Sequence, residues 1–333
     1  MPALGNFITS VTRSKYFPAV VDNVFDGIPL FMRLRGKARP WSGGSQLNIP
    51  TEVSTRTAGG SYSGFDTLST NQENVRRNFT IDPCEYYWTV AVSGIQKAVN
   101  KGPEAFVDVL AAEFTGVGRA LRNAIAEDLV LDGTGNNSKA INGLQYHVDD
   151  ATTTVTFQGL SRNTFTNLRA TRNAQGGALG ISNLDADYDA CQIGTDTPTL
   201  GVTTPAVWSI ISRLTTPTQN FEIGKSYPRL APAGGTAGAE INFGPTAIYY
   251  RGVPIISDDQ MTSGNLYFLN ENHLFLYQID HDPLFVEGSK EGFGWTGWKK
   301  SANQDAITGQ ILWKGQLVGD SPRTMSRRTA ITS

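Results

Sequence analysis

The feature that most constrains the fold is a long helical pattern between residues 103 and 132. Pro103 stands at its start, where the missing N–H of proline would have no helical partner. Asp132 and Gly133 end it, and glycine is common just after the last turn of a helix. At 1.5 Å per residue such a helix spans roughly 45 Å, so we predict a structural spine around which other elements are arranged. Apolar side chains recur along it at helical spacing: Phe106, Leu110, Phe114, Val117, Leu121, Ile125 and Leu129.

Strand patterns that precede this helix predict a long hairpin. Gln46–Pro50 alternates polar and apolar residues, and alternation returns at Phe79 and Ile81 before the aromatic-rich run Tyr86–Val92. The polar stretch Thr55–Gln72 lies between these patterns. Because an isolated two-stranded hairpin is only marginally stable in water, we expect this one to lie on a partner.

The rest of the chain predicts shorter elements of both kinds. Arg162–Asn173 and Thr204–Leu214 are helix candidates, and the Gly- and Pro-rich segment Tyr227–Gly238 is expected to be a surface loop. Apolar and β-branched runs predict strands nearer the end: Ala247–Tyr250, Val253–Ile256, Leu266–Leu269, Leu274–Tyr277 and Ile307–Val318. The sequence therefore predicts an α+β protein that leans towards β-structure.

Composition excludes several classes of protein. Charged residues make up 17% and hydrophobic residues 39%, a balance that is too apolar for disorder and too poor in charge for a coiled coil. The net charge of −2 gives no overall field that would attract nucleic acid, although residues 1–40 are mildly basic. No stretch approaches the roughly 18 apolar residues of a membrane span. Cys84 and Cys191 match no disulfide or metal spacing, and no secretory signal is recognised, so we expect a protein made in the cytoplasm.

Two short motifs resemble ligand-binding loops but lack a required residue. Gly224–Ser226 resembles the end of a phosphate-binding loop, yet Gln219 stands where that motif needs glycine. Three carboxylates have the spacing of the first ligands in a calcium-binding loop, but Ala190 replaces the glycine of its sharp turn. These carboxylates are Asp185, Asp187 and Asp189. Between a weak calcium site and an acidic solvated loop, we favour the loop.

Candidate catalytic residues are scattered along the sequence. His147, His273 and His281 do not have the spacing of zinc ligands. Asp258 and Asp259 could act as acid and base in principle, but an aspartate pair after a strand more often starts a turn. We therefore expect no catalytic, cofactor-binding or metal-binding residues and no enzyme activity.

Aromatic clusters are the remaining candidates for a binding surface. Tyr86–Trp88 has no basic residues interleaved with its rings, which favours packing over stacking on nucleic acid. For Gly292–Lys300, where Trp295 and Trp298 precede two lysines, we favour a loop buried against a neighbour over a nucleic-acid platform.

The order of these parts resembles that of phage major capsid proteins of the Hong Kong 97 fold. In the subfamily that the chain looks most like, the hairpin opens with a segment similar to Trp41–Gly44 and continues as in Gln46–Pro50. The segment 215–243 departs from the family pattern. Further matches follow in the expected order: Asp132–Asn136, Ile141–Leu144, Thr203–Val207, Gly252–Ile256, Asp258, Leu269–Asn270, Asn303–Ala306, Gly315–Leu317 and Arg327–Arg328.

The resemblance implies a division of the chain and a function. Its segments are an N-terminal arm (1–40), an extended β-hairpin loop (41–92), a peripheral domain (93–150) with the spine helix at 103–132, an axial domain (151–260) and return strands of the peripheral domain (261–333). The implied function is that of a major capsid protein, which forms pentamers and hexamers of an icosahedral shell around double-stranded DNA. The implied location is the virion, which is assembled in the host cytoplasm.

The resemblance also implies partners. These are further copies of the chain, a portal protein, a decoration protein and packaged DNA bound through non-specific phosphate contacts, with no membrane. Because the hairpin starts near residue 45, we expect a separate scaffolding protein rather than a scaffolding segment before it. The fold's namesake joins a lysine of this loop to an asparagine of a neighbour, but no lysine lies between Gln46 and Gln96, so we expect no such cross-link.

Other functions stay open at this point. The first alternative is the shell of an encapsulin-like compartment that holds a protein cargo. The second, less favoured, is a β-rich hydrolase that uses Asp258 or His281. A tail or fibre protein is a third, which the single long spine helix fits poorly.

Overall fold

The computed structural model describes residues 29–95, 103–219, 248–281, 287–290, 292–300 and 304–332. Most of the predicted arm, the Gly224–Ser226 motif, the loop Tyr227–Gly238 and most of the segment 215–243 lie outside these residues. Apart from the short helical turn Gly135–Ser138, the described α-helices are α1 (Pro29–Gly36), α2 (Pro103–Leu129), α3 (Leu144–His147), α4 (Ile181–Cys191) and α5 (Pro205–Gln219).

The strands fall into two larger sheets and two strand pairs. In chain order they are β1 (Arg39–Pro40), β2 (Leu47–Glu52), β3 (Arg76–Ile81), β4 (Cys84–Ser93), β5 (Thr156–Phe157), β6 (Leu160–Ser161), β7 (Thr171–Ala178), β8 (Leu200–Thr203), β9 (Ile248–Tyr250), β10 (Val253–Ser257), β11 (Leu266–Leu269), β12 (Leu274–Gln278), β13 (Glu287–Lys290), β14 (Phe293–Trp295), β15 (Lys299–Lys300), β16 (Ala306–Gly319) and β17 (Ser326–Thr332). Strands β2 and β3 pair with each other, as do β5 and β6.

The predicted spine is the 27-residue helix α2, which ends at Leu129, three residues before the predicted end. Its inward side chains Leu121, Ile125 and Leu129 are buried in the largest apolar core. The chain then crosses back over the helix end, where a Cβ on Gly143 would collide with main-chain carbonyl oxygens of the last turn. Only glycine lets the main chain approach so closely, which explains the sharp stop.

The spine helix packs on a seven-stranded sheet that is built around β16. Strand β4 pairs antiparallel with β16 over ten residue pairs, while β12, β14 and β15 also pair with β16. Alternate side chains of β4, such as Val90 and Val92, are buried, and the residues between them are exposed. This period of two places one face of the sheet on the helix and leaves the other face open to solvent.

A six-stranded sheet forms the second large unit, in the order β7-β17-β11-β8-β10-β9. Leu184 of α4 and Val207 and Ile211 of α5 pack with Ile255 and Phe268 of this sheet in a second core. The last strand, β17, lies between β7 and β11. Segment 261–333 therefore supplies strands to both large sheets, and the division into peripheral and axial domains stays a prediction.

The hairpin of β2 and β3 has its base in a third core. Phe79 and Ile81 of β3 pack there with Trp41, Phe157 and Val318. Trp41 is held by a bond from its indole N–H to the carbonyl of Gly43, 3.1 Å away, at a turn where Gly43 has φ +107°. Glycine is needed at such an angle, which accounts for this part of the Trp41–Gly44 segment. The hairpin is shorter than the predicted 41–92, because β4 belongs to the seven-stranded sheet.

The predicted helix Arg162–Asn173 is wrong. The segment contains a single 3₁₀ turn, Thr166–Leu168, and the start of β7. The fully buried guanidinium of Arg162 donates to the main-chain carbonyls of Tyr146, His147, Thr154 and Leu168. These four bonds hold an irregular loop around one side chain, an arrangement that overrides helix propensity.

The predicted loop at Asp185–Asp189 is also wrong, because these residues lie within helix α4. A calcium-binding loop needs consecutive ligands to curl around one ion, whereas a helix spreads them over different faces. The structure therefore supports neither the calcium loop nor the solvated loop.

Candidate assembly surface

The most exposed part of the described chain is the end of the β2–β3 hairpin. Pairing continues past the strands to a bond from the Val53 N–H to the Val75 carbonyl, 3.0 Å long. All residues from 54 to 72 beyond this point are exposed, and we call 54–72 the hairpin tip. Its three large apolar side chains, Tyr62, Phe65 and Leu68, are 68%, 104% and 57% exposed.

Polar contacts give the hairpin tip a defined shape although it has no core. The carboxylate of Glu73 accepts bonds from the main-chain N–H and the hydroxyl of Thr57, and these bonds lower the pKa of Glu73. Asp66 accepts a 2.7 Å bond from the Ser63 N–H. At the stem, Arg76 contacts Glu52 at 3.1 Å and lowers its pKa. These bonds fix the loop while its aromatic side chains stay uncovered.

Exposed apolar groups on an ordered loop favour binding to another surface. Burying one large apolar side chain is worth about 1.5–3 kcal/mol, so covering all three would stabilise a contact with another surface by several kcal/mol. Several large apolar side chains exposed on one loop favour a protein contact there. The hairpin tip is therefore suited to binding another surface. Its residues do not suggest catalysis.

The histidines singled out in the sequence lie in three separate places. His147 is fully buried, its Nε2 lies 3.2 Å from the Leu317 carbonyl, and burial lowers its pKa to about 3. His281 contacts the Gly292 carbonyl at 2.9 Å, and burial lowers its pKa. Each of these two rings faces a main-chain carbonyl, which is a structural contact.

His273 lies between two carboxylates. Its Nδ1 is 2.7 Å from Asp320 and its Nε2 is 3.2 Å from Asp196. Since the two ring nitrogens point in opposite directions, these groups cannot converge on one metal ion. Within the described residues, no group of three histidine, cysteine or carboxylate side chains is placed to hold a metal.

The aspartates considered as acid, base or calcium ligands have structural partners. Asp258 is buried and accepts bonds from the main-chain N–H groups of Leu30 and Gln260, and desolvation raises its pKa. Its first bond fixes the start of α1. Asp185 accepts a 2.7 Å bond from the Tyr250 hydroxyl, and Asp189 pairs with Arg251 at 2.5 Å.

Asp187 forms a buried ion pair with Arg328 of β17. The two side chains are joined by two bonds, of 2.5 and 2.8 Å, and both residues are buried. Arg328 also donates to Gln175 at 2.6 Å and to the Asn183 carbonyl at 3.1 Å. The sequence had indicated Arg328 only as part of a family match, because its partner lies 141 residues away.

The aromatic clusters pack mainly within the subunit. The Tyr86 hydroxyl donates to Asp128 at 2.7 Å and accepts from the Ile141 N–H at 2.9 Å, so it ties β4 to the end of α2. Trp295 lies in β14, and its ring contacts Phe114 and Trp298 at centroid distances of 5.0 and 5.1 Å. The predicted loop Gly292–Lys300 is therefore largely strand, with Trp298 at its exposed end.

Comparison with known proteins shows the fold. No protein-family model matches the chain, and no curated protein matches it. The chain is similar to the solved capsid asymmetric unit of Cyanophage A-1(L), with a TM-score of 0.69 and 15% identity over 92% of this chain and 93% of that one. It is also similar to the SrpI encapsulin of Synechococcus elongatus, with a TM-score of 0.57 and 13% identity over 91% and 88% of the two chains.

A third similar structure is the capsid of a GTA particle, with a TM-score of 0.52 and 10% identity over 90% of each chain. The predicted α+β capsid fold is thereby confirmed over nearly the whole chain. No helix among the described residues is long and apolar enough to cross a membrane.

Proposed function

We propose that this chain, whose fold is that of phage capsid and encapsulin subunits, is the major capsid protein of a tailed bacteriophage. The observation that carries the proposal is the likeness to a phage capsid subunit over 92% of this chain and 93% of that one. A match of this length covers most of the chain rather than a single element of it. In this proposal the chain forms pentamers and hexamers of an icosahedral shell, located in the virion.

The hairpin tip supports self-assembly. Phe65 is fully exposed and Tyr62 and Leu68 are largely so, although polar bonds hold the loop in one shape. In the assembled shell these side chains lie against a neighbouring copy, which removes them from water. The hairpin thus completes another subunit rather than its own.

Further partners follow from the proposed role. The chain would contact double-stranded DNA inside the shell through non-specific bonds to its phosphates. A separate scaffolding protein would direct assembly. A portal protein at one vertex and a decoration protein on the outside belong to the same proposal. We assign no catalytic role, and the two side chains considered for hydrolase chemistry, Asp258 and His281, have main-chain partners.

An encapsulin-like compartment is the second candidate, and the likeness to the SrpI encapsulin favours it. The higher TM-score with the phage capsid, 0.69 against 0.57, supports the first candidate. The content of purified particles separates the two. DNA inside indicates a capsid, and a docked protein cargo with no DNA indicates a compartment.

Substitutions in the hairpin tip test the proposed assembly. In the variant Phe65→Asp with Leu68→Asp, we expect at least a tenfold loss of shells in negative-stain images, because two charges replace the apolar contact. The melting temperature should be unchanged, since these exposed side chains support no core.

The control is Phe65→Leu with Leu68→Met, which keeps the apolar area and should assemble. Normal shells from the aspartate variant would contradict the role given to the hairpin tip.

A further inference from the structure

Strand β4 has an open edge. It pairs with β16 along one side through ten residue pairs with no shift in register. Within the described part of the chain, no strand pairs with its other side. The open edge runs past Glu85, Tyr87, Thr89 and Ala91, all of which are exposed, and Tyr87 is 64% exposed.

The hydrogen bonds of β16 show which main-chain groups face this edge. The Gln310 carbonyl accepts from the Thr296 N–H, and the Lys314 N–H donates to the Gly292 carbonyl, so both residues direct their main chain away from β4. In an antiparallel pair, the residue opposite such a position also points its N–H and C=O outward. Thr89 lies opposite Gln310 and Glu85 lies opposite Lys314.

Because main-chain direction alternates along a strand, Tyr87 and Ala91 also point their N–H and C=O groups away from β16. These four residues therefore present free N–H and C=O groups along the open edge. A groove of about 970 Å³ borders the first part of the strand and is lined by residues 80–87, the turn at Asn136–Asn142 and residues 310–316 of β16.

This edge lacks the features that usually protect edge strands. Natural sheets block exposed edges with lysine, proline or a bulge. From Tyr86 to Ser93 the strand contains neither proline nor charge, and its register is regular. The one charged residue of β4, Glu85, is paired with Lys314 at 2.9 Å. Aromatic and β-branched residues make up most of the other positions of β4, and this composition favours pairing with a further strand.

We propose that a second copy of this chain pairs along this edge, β4 against β4, about a twofold axis at Thr89. The strand is complementary to itself in that register. Thr89 faces Thr89 of the partner subunit, and Tyr87 faces Ala91 of the partner subunit, so a large side chain meets a small one. No like charges are opposed, and about six main-chain hydrogen bonds form in the three central pairs.

The pairing joins the seven-stranded sheets of the two copies into one continuous sheet across the axis. Contacts of this kind are isologous, because the same patch is used on both subunits. The inference deepens the proposed function, on which it rests, since a closed shell needs contacts between its rings as well as within them.

Cysteine cross-linking of assembled particles tests the pairing. Opposite residues in a hydrogen-bonded pair have Cα atoms about 5.5 Å apart, which a disulfide can span. We expect particles of the full chain with Thr89→Cys, once oxidised, to give a band at twice the 36.0 kDa chain mass on a non-reducing gel. The native Cys84 and Cys191 are buried and stay in place.

The matched control is Thr308→Cys, one strand further inside the sheet and opposite Ala91. It should stay at the single-chain mass, because the β4 strands of both copies lie between its cysteines. If Thr89→Cys particles give no more dimer than Thr308→Cys particles, the inference is wrong although the shell exists. A chain that forms neither shells nor dimers would contradict the proposed function as well.

A second pair of variants tests the main-chain bonds directly. Thr89→Pro removes an N–H that β16 does not use, so the subunit should fold with little change in melting temperature. We expect at least a tenfold weaker association by sedimentation than for Thr89→Val, which keeps the N–H. Equal association of the two variants would overturn the pairing.

Discussion

At the scale of single residues, a buried ion pair ties helix α4 to the six-stranded sheet. Arg328 of β17 reaches Asp187 of α4 through two hydrogen bonds, and neither residue is exposed. The pair costs desolvation to form, but the loss of one partner leaves the other charge buried without compensation.

We therefore expect Arg328→Met to lower the free energy of unfolding by about 3–5 kcal/mol, because Asp187 would keep a buried, unpaired charge. The measurement is chemical denaturation of the purified chain. Arg323→Met is the control, since Arg323 is exposed, and it should change stability by less than about 0.5 kcal/mol. A similar loss in both variants would show that the buried pair has no special role.

A second prediction at this scale concerns pH. Burial, with a smaller contribution from Arg162, lowers the pKa of His147 from 6.5 to about 3. The unfolded chain then binds the proton that the folded chain excludes. Stability from this group is complete above pH 6.5 and is lost as the pH falls towards 3, by up to about 1.4 kcal/mol per unit.

The substitution His147→Gln should flatten the slope of stability against pH between about 6 and 4, because glutamine cannot be protonated and can still donate to Leu317. Denaturation curves at several pH values measure this. An unchanged slope in the variant would mean that other groups account for the acid sensitivity.

At the scale of elements, periodic sequence patterns predicted the positions of helices and strands well. Segments without a regular pattern were predicted poorly. The helix Pro103–Leu129 and the strands β10, β11, β12 and β16 lie within a few residues of their predicted positions, because each has a regular apolar stripe or a short apolar run in the sequence. The segment 162–173 was predicted as helix, although Arg162 organises it as a loop through bonds to distant carbonyls. Propensity carries no information on such tertiary bonds.

The candidate surface was predicted only in outline. A long polar hairpin that needs a partner followed from Thr55–Gln72, but the exposure of Phe65 could not be read from sequence. The open edge of β4 could likewise not be predicted from sequence, because it depends on which strands lie beside β4 in space. Sheet neighbours that are distant in sequence, such as β4 and β16, are fixed by tertiary packing.

The hairpin itself carries a prediction on covalent chemistry. An amide-forming cross-link needs a neutral lysine amine on this loop, and its basic residues are Arg56, Arg76 and Arg77, whose guanidinium groups stay protonated. Shells boiled in denaturing detergent should therefore give a single band at 36.0 kDa. A ladder of bands at pentamer and hexamer masses would contradict this.

At the scale of the whole molecule, the single chain leaves two described surfaces uncovered. Residues of both large sheets and of the spine helix share the largest core, and a second core lies against the six-stranded sheet. The hairpin tip and the β4 edge project apolar side chains and main-chain groups that these cores do not use. A shell of many copies satisfies both surfaces, which is the central claim of the proposed function.

Electron microscopy of particles formed by the full chain tests that claim most directly. With a separate scaffolding protein we predict uniform, closed icosahedral shells built from pentamers and hexamers, and without one we predict shells of irregular size. If both preparations contain only monomers or small oligomers, the chain is not a shell protein and the account is wrong.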